Sequence, residues 1–216
     1  MRLILFGAPG SGKGTQADML ANELNLKKIS LGDILRQEVK KGSDLGVKVK
    51  QYMDKGELVP NDTVREVIDA NLADDNFILD GYPRNQKQAE TLDGILDEKN
   101  RTIDAFIYLD VSRDTIVDRL SKRRVCKKCG VNYHLDTMPP EKDNICDDCG
   151  SELIQRDDDK PDVIKKRWNV FLENSRGIFD FYKQKGIFIS VDGDKKKEEV
   201  FEQVKKKLKD RKALLD

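Results

Sequence analysis

Residues 7–15 read Gly7-Ala8-Pro9-Gly10-Ser11-Gly12-Lys13-Gly14-Thr15, directly behind the apolar run Met1–Phe6 and ahead of a helical pattern over Gly14–Leu24. A loop so poor in side chains lets backbone amides approach an anion closely, and the helix behind it turns the positive end of its dipole to the same point. Glycines 7, 10, 12 and 14 supply the room. Lys13 adds a mobile cation for terminal phosphates, and Thr15 can offer a hydroxyl to a magnesium hydration shell. A tight turn would explain the glycines but not the lysine among them. Strand, glycine loop and helix in this order are a polyphosphate cradle.

Outward from the loop, further strand-like runs lie at Phe77–Asp80, Asp104–Leu109 and Gly186–Ser190, with a weaker one at Lys27–Ser30. Helical patterns separate them at Gly32–Lys41, Asp44–Lys55, Asp62–Ala73, Gln86–Lys99, Arg113–Lys122, Asp162–Lys183 and Lys196–Lys209, with Ser112 and Asn61 as expected caps. This alternation predicts an α/β fold: a P-loop, doubly wound, five-stranded parallel sheet with helices on both faces. Two segments interrupt it, the two-helix stretch 30–59 and the turn-rich stretch 122–159. They read as lobes inserted in a core made of 1–29, 60–121 and 160–216, and in such a sheet ligands gather at the carboxyl ends of the strands, beneath both lobes.

All four cysteines fall in the second lobe, as Cys126-x2-Cys129 and Cys146-x2-Cys149 with sixteen residues between the pairs. Two such knuckles, each followed by glycine (Gly130, Gly150), have the spacing of a tetrahedral thiolate site, and the reading is structural Zn²⁺. Four protein thiolates leave no open position for Lewis-acid chemistry. The metal would instead staple a lobe too small for a core of its own. His134, the one histidine of the chain, follows Tyr133 with no nucleophile and orienting carboxylate beside it, and reads as a structural or lid-contact residue.

Forty basic and forty acidic residues cancel, so nothing suggests a whole-molecule attraction to nucleic acid or anionic lipid. The basic run Arg123, Arg124, Lys127, Lys128 could mark an RNA-binding ribbon, but facing the phosphates of a nucleotide explains it as well. The apolar start is too short for a signal peptide and no run approaches a membrane span, which predicts a cytoplasmic protein without membrane or nucleic-acid partners. An Asn-Lys-x-Asp guanine-reading element, which a switch GTPase would need, is missing from the sequence.

Phosphoryl transfer to an acceptor phosphate needs no general base, because the attacking oxygen is already anionic. What it needs is several fixed cations from different chain segments, and arginine's planar fork suits that. Arg36, Arg84, Arg119, Arg123, Arg156 and Arg167 are the candidates. Asp80 ends the buried run Phe77-Ile78-Leu79, where a P-loop fold keeps a carboxylate for magnesium, held here through water.

The Gly-x-Pro-Gly-x-Gly-Lys-Gly-Thr form, with the hydroxyl one place later than in the general P-loop, resembles the nucleoside monophosphate kinases. Ser30-Leu31-Gly32-Asp33-Ile34-Leu35-Arg36, Asp80-Gly81-Tyr82-Pro83-Arg84 with Gln88, and Gln155-Arg156-Asp157-Asp158-Asp159 agree. With the cysteines, the chain is similar along nearly its whole length to the adenylate kinases, specifically the long-lid bacterial type. That resemblance implies transfer from Mg·ATP to AMP, giving two ADP, by a monomer. It implies Arg36 and Arg84 on the AMP phosphate, with Arg123, Arg156 and Arg167 around the transferred group and the last two reaching AMP as well. Residues Gly10 to Thr15 with Arg119, Arg123, Tyr133 and Lys195 would hold ATP. Leu31, Gly81 and Gln88 with the backbone of Glu57, Leu58 and Val59 would hold AMP. Lys13, Arg84, Arg123, Arg156 and Arg167 would be catalytic. Asp158 and Asp159 would orient lid arginines. Leu31 departs from the family's usual threonine, so acceptor selection is expected to lean on Gln88. The near alternative is a kinase for UMP or CMP, or one using GTP.

Overall fold

The computed structural model describes residues 1–213. Five strands, β1 (Arg2–Phe6), β2 (Lys27–Ser30), β3 (Phe77–Asp80), β4 (Ala105–Asp110) and, last in the chain, β8 (Phe188–Asp192), form one sheet in the order β2-β3-β1-β4-β8, with every pairing parallel. Successive side chains point to opposite faces, and both faces are covered. Leu3, Leu5, Ile78 and Ile107 pack with α1 (Lys13–Leu24) and α8 (Lys197–Ala213). Ile4, Phe6, Leu79 and Phe106 pack on the other face, against residues of α4 (Asn61–Asn71), α5 (Gln86–Asp97) and α7 (Pro161–Gln184). Each of these side chains is at most 5% exposed, and burial of that kind stabilises by about 1.5–3 kcal/mol apiece. The chain leaves β1 for β2, returns to β3, and crosses to β4 on the far side of β1. The glycine loop therefore opens where the winding reverses, the place at which such sheets form their crevice.

Stretch 30–59 is the helix pair α2 (Leu31–Lys41) and α3 (Asp44–Asp54). A β-carbon on Gly46 would stand 2.1 Å from the Glu38 carbonyl oxygen, so only glycine lets the two helices meet this closely. Stretch 122–159 follows α6 (Arg113–Ser121) and holds a small antiparallel sheet, β5 (Arg123–Cys126), β6 (Asn132–His134) and β7 (Leu153–Ile154), in the order β6-β5-β7. These strands go beyond the turn-rich reading of that stretch: at two to four residues they carry no periodicity, and the cysteine turns hold them together.

Ser112 caps α6 through the Thr115 amide. Asn61 is not a cap. Pro60 takes that position with φ −50° and its carbonyl accepts the Val64 N–H at 3.1 Å, so the helix begins at Asn61 itself. Strand β8 lies two residues later than the Gly186–Ser190 run, because Gly186 and Ile187 close the turn off α7.

Candidate active site

The cradle is built by backbone. Gly10 and Gly12 hold φ of 86° and 90°, and Gly12 ends the loop as the cap residue of α1. Helices α3, α5 and α6 are capped by the side chains of Ser43, Asn85 and Ser112. Helix α1 has no side-chain cap and no acid in its first turn, so its positive end is left for an outside anion. Lys13 curls back over the loop, donating to the Gly7 and Ala8 carbonyls at 2.8 Å each and to Ser11 Oγ at 3.4 Å. Burial pushes its ammonium down to about 7; Asp80 opposes this, and Arg84, Arg167 and Arg123 add to it. A phosphate placed there would reverse that balance. Asp80, 9% exposed, pairs in register with Leu5, and its Oδ2 would lie 3.6 Å from a β-carbon on Gly14, beneath the start of the helix.

The cradle opens into a cleft of about 2010 Å³, well beyond the roughly 300–1,000 Å³ of a single-ligand pocket. Arg36, Arg84, Arg119, Arg123, Arg156 and Arg167 all line it, with Gly10 to Thr15, Glu57, Leu58, Val59, Gly81 and Lys195. Arg123 donates from Nη2 and Nε to the two carboxylate oxygens of Asp159 at 2.6 and 2.7 Å, and Asp159 also accepts from Arg167 at 3.4 Å. Arg167 donates to the Asp158 carbonyl at 2.9 Å and pairs with its carboxylate at 3.0 Å. Burial works against the Asp158 carboxylate, but Arg167, Arg123 and Arg156 outweigh it and hold it below the usual range. Arg84 bonds the Gly81 carbonyl at 2.7 Å, and Arg36 pairs with Asp33 one turn earlier on α2. Burial, then the neighbouring guanidiniums, pushes Arg84 down to about 10 and Arg156 to about 9. Several cations held together in one buried cleft mark a place built for negative charges.

Arg119 Nη2 donates to the Gly193 carbonyl at 3.0 Å and the Lys195 carbonyl at 3.5 Å, tying α6 to the loop after β8. Of the nucleotide candidates, Leu31 and Gln88 lie off the cleft. Leu31 is 2% exposed in the core. Gln88, equally buried, accepts the Arg84 amide at 2.7 Å and donates to Asn61 Oδ1 at 2.9 Å. Tyr133 lines the cleft but turns its hydroxyl into the lobe of the cysteines. His134 Nδ1 accepts the Asp136 and Thr137 amides at 3.2 Å, closing a turn.

The four sulfurs converge. Cys126–Cys149, Cys129–Cys146 and Cys129–Cys149 are separated by 3.4, 3.5 and 3.6 Å, and all four lie within 4.8 Å of one another. Thiolates on a tetrahedral zinc, with bonds of about 2.3 Å, stand about 3.8 Å apart. Disulfides would need about 2.05 Å. Gly130 and Gly150, at φ 80° and 66°, return their amides to the Cys126 and Cys146 carbonyls. The donor set and its spacing fit a tetrahedral metal.

Several residues support the site in ways the sequence does not signal. Asn132 accepts from Arg156 at 3.0 Å, and Asn61 holds Gln88. Lys40 of α2 reaches across to the Lys127 and Lys128 carbonyls at 3.3 and 3.2 Å, and Lys166 bonds Glu57 at 2.6 Å. They act through distant partners, which only the folded chain brings near. Among the described residues no helix is long and apolar enough to cross a membrane.

A family profile described as adenylate kinase matches residues 5–187. The chain is 46% identical over 212 residues to an adenylate kinase of Caldanaerobacter subterraneus subsp. tengcongensis, covering 96% of each chain. It is 48% identical over 209 residues to one of Methanocella arvoryzae, covering 95% of this chain and 97% of the relative. To one of Archaeoglobus fulgidus it is 46% identical over 208 residues, at 94% and 96% coverage. With a glycine cradle, a cleft large enough for two nucleotides and similarity of this extent, the chain belongs to the adenylate kinase family.

Proposed function

We propose that this protein transfers the γ-phosphoryl group of Mg·ATP to AMP, reversibly, giving two ADP. The carrying observation is the convergence of Lys13 and six arginines, drawn from segments as far apart as α2 and α7, on one cleft. Gly10 to Thr15 would hold the donor phosphates, with Arg119, Lys195 and the edge of Tyr133 toward the base and ribose. Arg36 and Arg84 would hold the AMP phosphate, and Glu57 to Val59 would border its base. Arg123, Arg156 and Arg167 would meet the equatorial oxygens of the group in flight, where charge spreads in the transition state. Asp80 would hold, through water, the magnesium that arrives with ATP and neutralises charge on its phosphates.

Stretches 30–59 and 122–159 would act as moving lobes, closing on acceptor and donor to expel the water that would otherwise take the phosphoryl group. Cys126, Cys129, Cys146 and Cys149 would hold a structural zinc that stiffens the second lobe. We read the protein as a cytoplasmic monomer acting on small molecules, without nucleic-acid or membrane partners. A coupled assay over AMP, UMP, CMP and GMP tests the acceptor: turnover on UMP above that on AMP would overturn the assignment. A complex with diadenosine pentaphosphate tests both pockets, and arginines pointing away from its phosphates would contradict the proposed roles.

A further inference from the structure

The two cysteine knuckles are alike in their backbone. In each, the glycine after the second cysteine returns its amide to the first cysteine's carbonyl, at 3.0 Å for Gly130 and 2.8 Å for Gly150, and Cys126 Sγ also accepts the Cys129 amide at 3.4 Å. They differ in one side chain. The Tyr133 hydroxyl lies 3.5 Å from Cys146 Sγ and, among the described residues, Tyr133 is the one non-cysteine side chain hydrogen-bonded to any of the four sulfurs. The Asp147 amide donates to that hydroxyl at 2.8 Å, occupying it as an acceptor and leaving its proton for the sulfur. The ring is 6% exposed and packed with Cys126, Cys146 and Leu153, so the geometry is held by burial.

We infer that Tyr133 is an outer ligand of the cysteine centre, donating to the Cys146 thiolate and fixing it for metal. The inference rests on the reading of the four cysteines as a metal site. A zinc held by four thiolates carries excess negative charge, and a hydrogen bond to one sulfur draws some of it off and restrains that ligand against leaving. The same residue connects the centre to the cleft: its neighbour Asn132 holds Arg156, and His134 stands in register with Arg123 across β5 and β6.

The test uses full-length protein and the Tyr133→Phe variant, which keeps the ring and removes the donor. Zinc content is measured first, then release of zinc to a chromophoric chelator, then the sulfur-to-metal charge-transfer bands after exchange with Co²⁺. Expected are one zinc per chain in both proteins, release about tenfold faster from the variant, and a shift of the cobalt bands to longer wavelength, because a sulfur without its hydrogen bond gives up charge more readily. Equal release rates, or faster release with superimposable cobalt spectra, would overturn the role of Tyr133 while leaving the metal site intact. Wild-type protein that binds neither zinc nor cobalt would overturn the metal reading and this inference with it.

Discussion

Arg123 and Asp159 stand 36 residues apart at the two ends of the cysteine-bearing stretch, and two hydrogen bonds of 2.6 and 2.7 Å join them side-on, from Nη2 and Nε to the two carboxylate oxygens, with Asp159 fully buried. The pair closes the base of the lobe and leaves one guanidinium nitrogen of Arg123 for the cleft. Removing one member of a buried pair strands the other's charge, at about 3–5 kcal/mol. Asp159→Ala is therefore expected to lose roughly that much stability in urea unfolding, and to lower kcat at temperatures where it stays folded. A loss below about 1 kcal/mol with unchanged kcat would show the pair to be incidental, since that is the range of exposed pairs.

Lys13 stands where the transferred charge would develop, so Lys13→Met is expected to lower kcat by at least about 10²–10³-fold, the loss typical of one preorganised charge-stabilising donor. Stability should move the other way. The ammonium is held at about 7 in the folded protein against 10.5 for the free side chain. Between those values the unfolded chain binds the additional proton, so this group's contribution to stability rises with pH through that window and is flat below it. Comparing urea midpoints of wild type and variant at pH 7 and pH 9.5 in the absence of nucleotide isolates the effect. The difference should shift in favour of wild type at the higher pH, and a difference independent of pH would refute the burial argument.

The core of this fold is legible in the sequence because its strands are apolar on both faces. Phe77-Ile78-Leu79 and Phe106-Ile107 can only sit between two helical layers. The cradle is legible because glycines and a lysine at fixed spacing have few other uses. Strands β5 to β7 are not, since their register comes from the cysteine turns and not from alternation. Asn61 illustrates a different limit: its position suggests a cap, whereas its side chain serves Asn85 and Gln88 across 24 and 27 residues. Local patterns name residues with the right chemistry, but which arginine is braced by which carboxylate is decided by contacts between segments that no local pattern connects.

Gln88 holds both ends of its amide inside the protein, one of them on the Arg84 backbone N–H. Replacing it with Met keeps the volume but leaves that N–H without a partner and takes from Asn61 Oδ1 one of its two donors, the other being Asn85, and an unpaired buried group costs about 1–3 kcal/mol. Gln88→Met is expected to destabilise by that amount and to raise the KM for AMP more than the KM for ATP, because Arg84 loses its anchor. Equal effects on both KM values would show that Gln88 serves the fold generally and not the acceptor side.

Removing metal from the cysteine lobe separates a structural staple from a catalytic one. The sulfurs sit on turns joined by strands of two to four residues, with Cys126, Tyr133, Cys146 and Leu153 as the buried core of that lobe. So small a core contributes little by itself, and metal binding there is folding free energy. A loss of about 3 kcal/mol in a protein of this size corresponds to a Tm lower by about 6–12 °C. Chelator-stripped protein should show a drop of that order in thermal unfolding while keeping most of its kcat well below the new Tm, since none of the four sulfurs is needed for charge cancellation at the phosphates. If stripped protein that is still folded by circular dichroism has lost turnover, the centre does more than staple: it holds Arg123 and Arg156, through β5 and β6, in the positions from which they act.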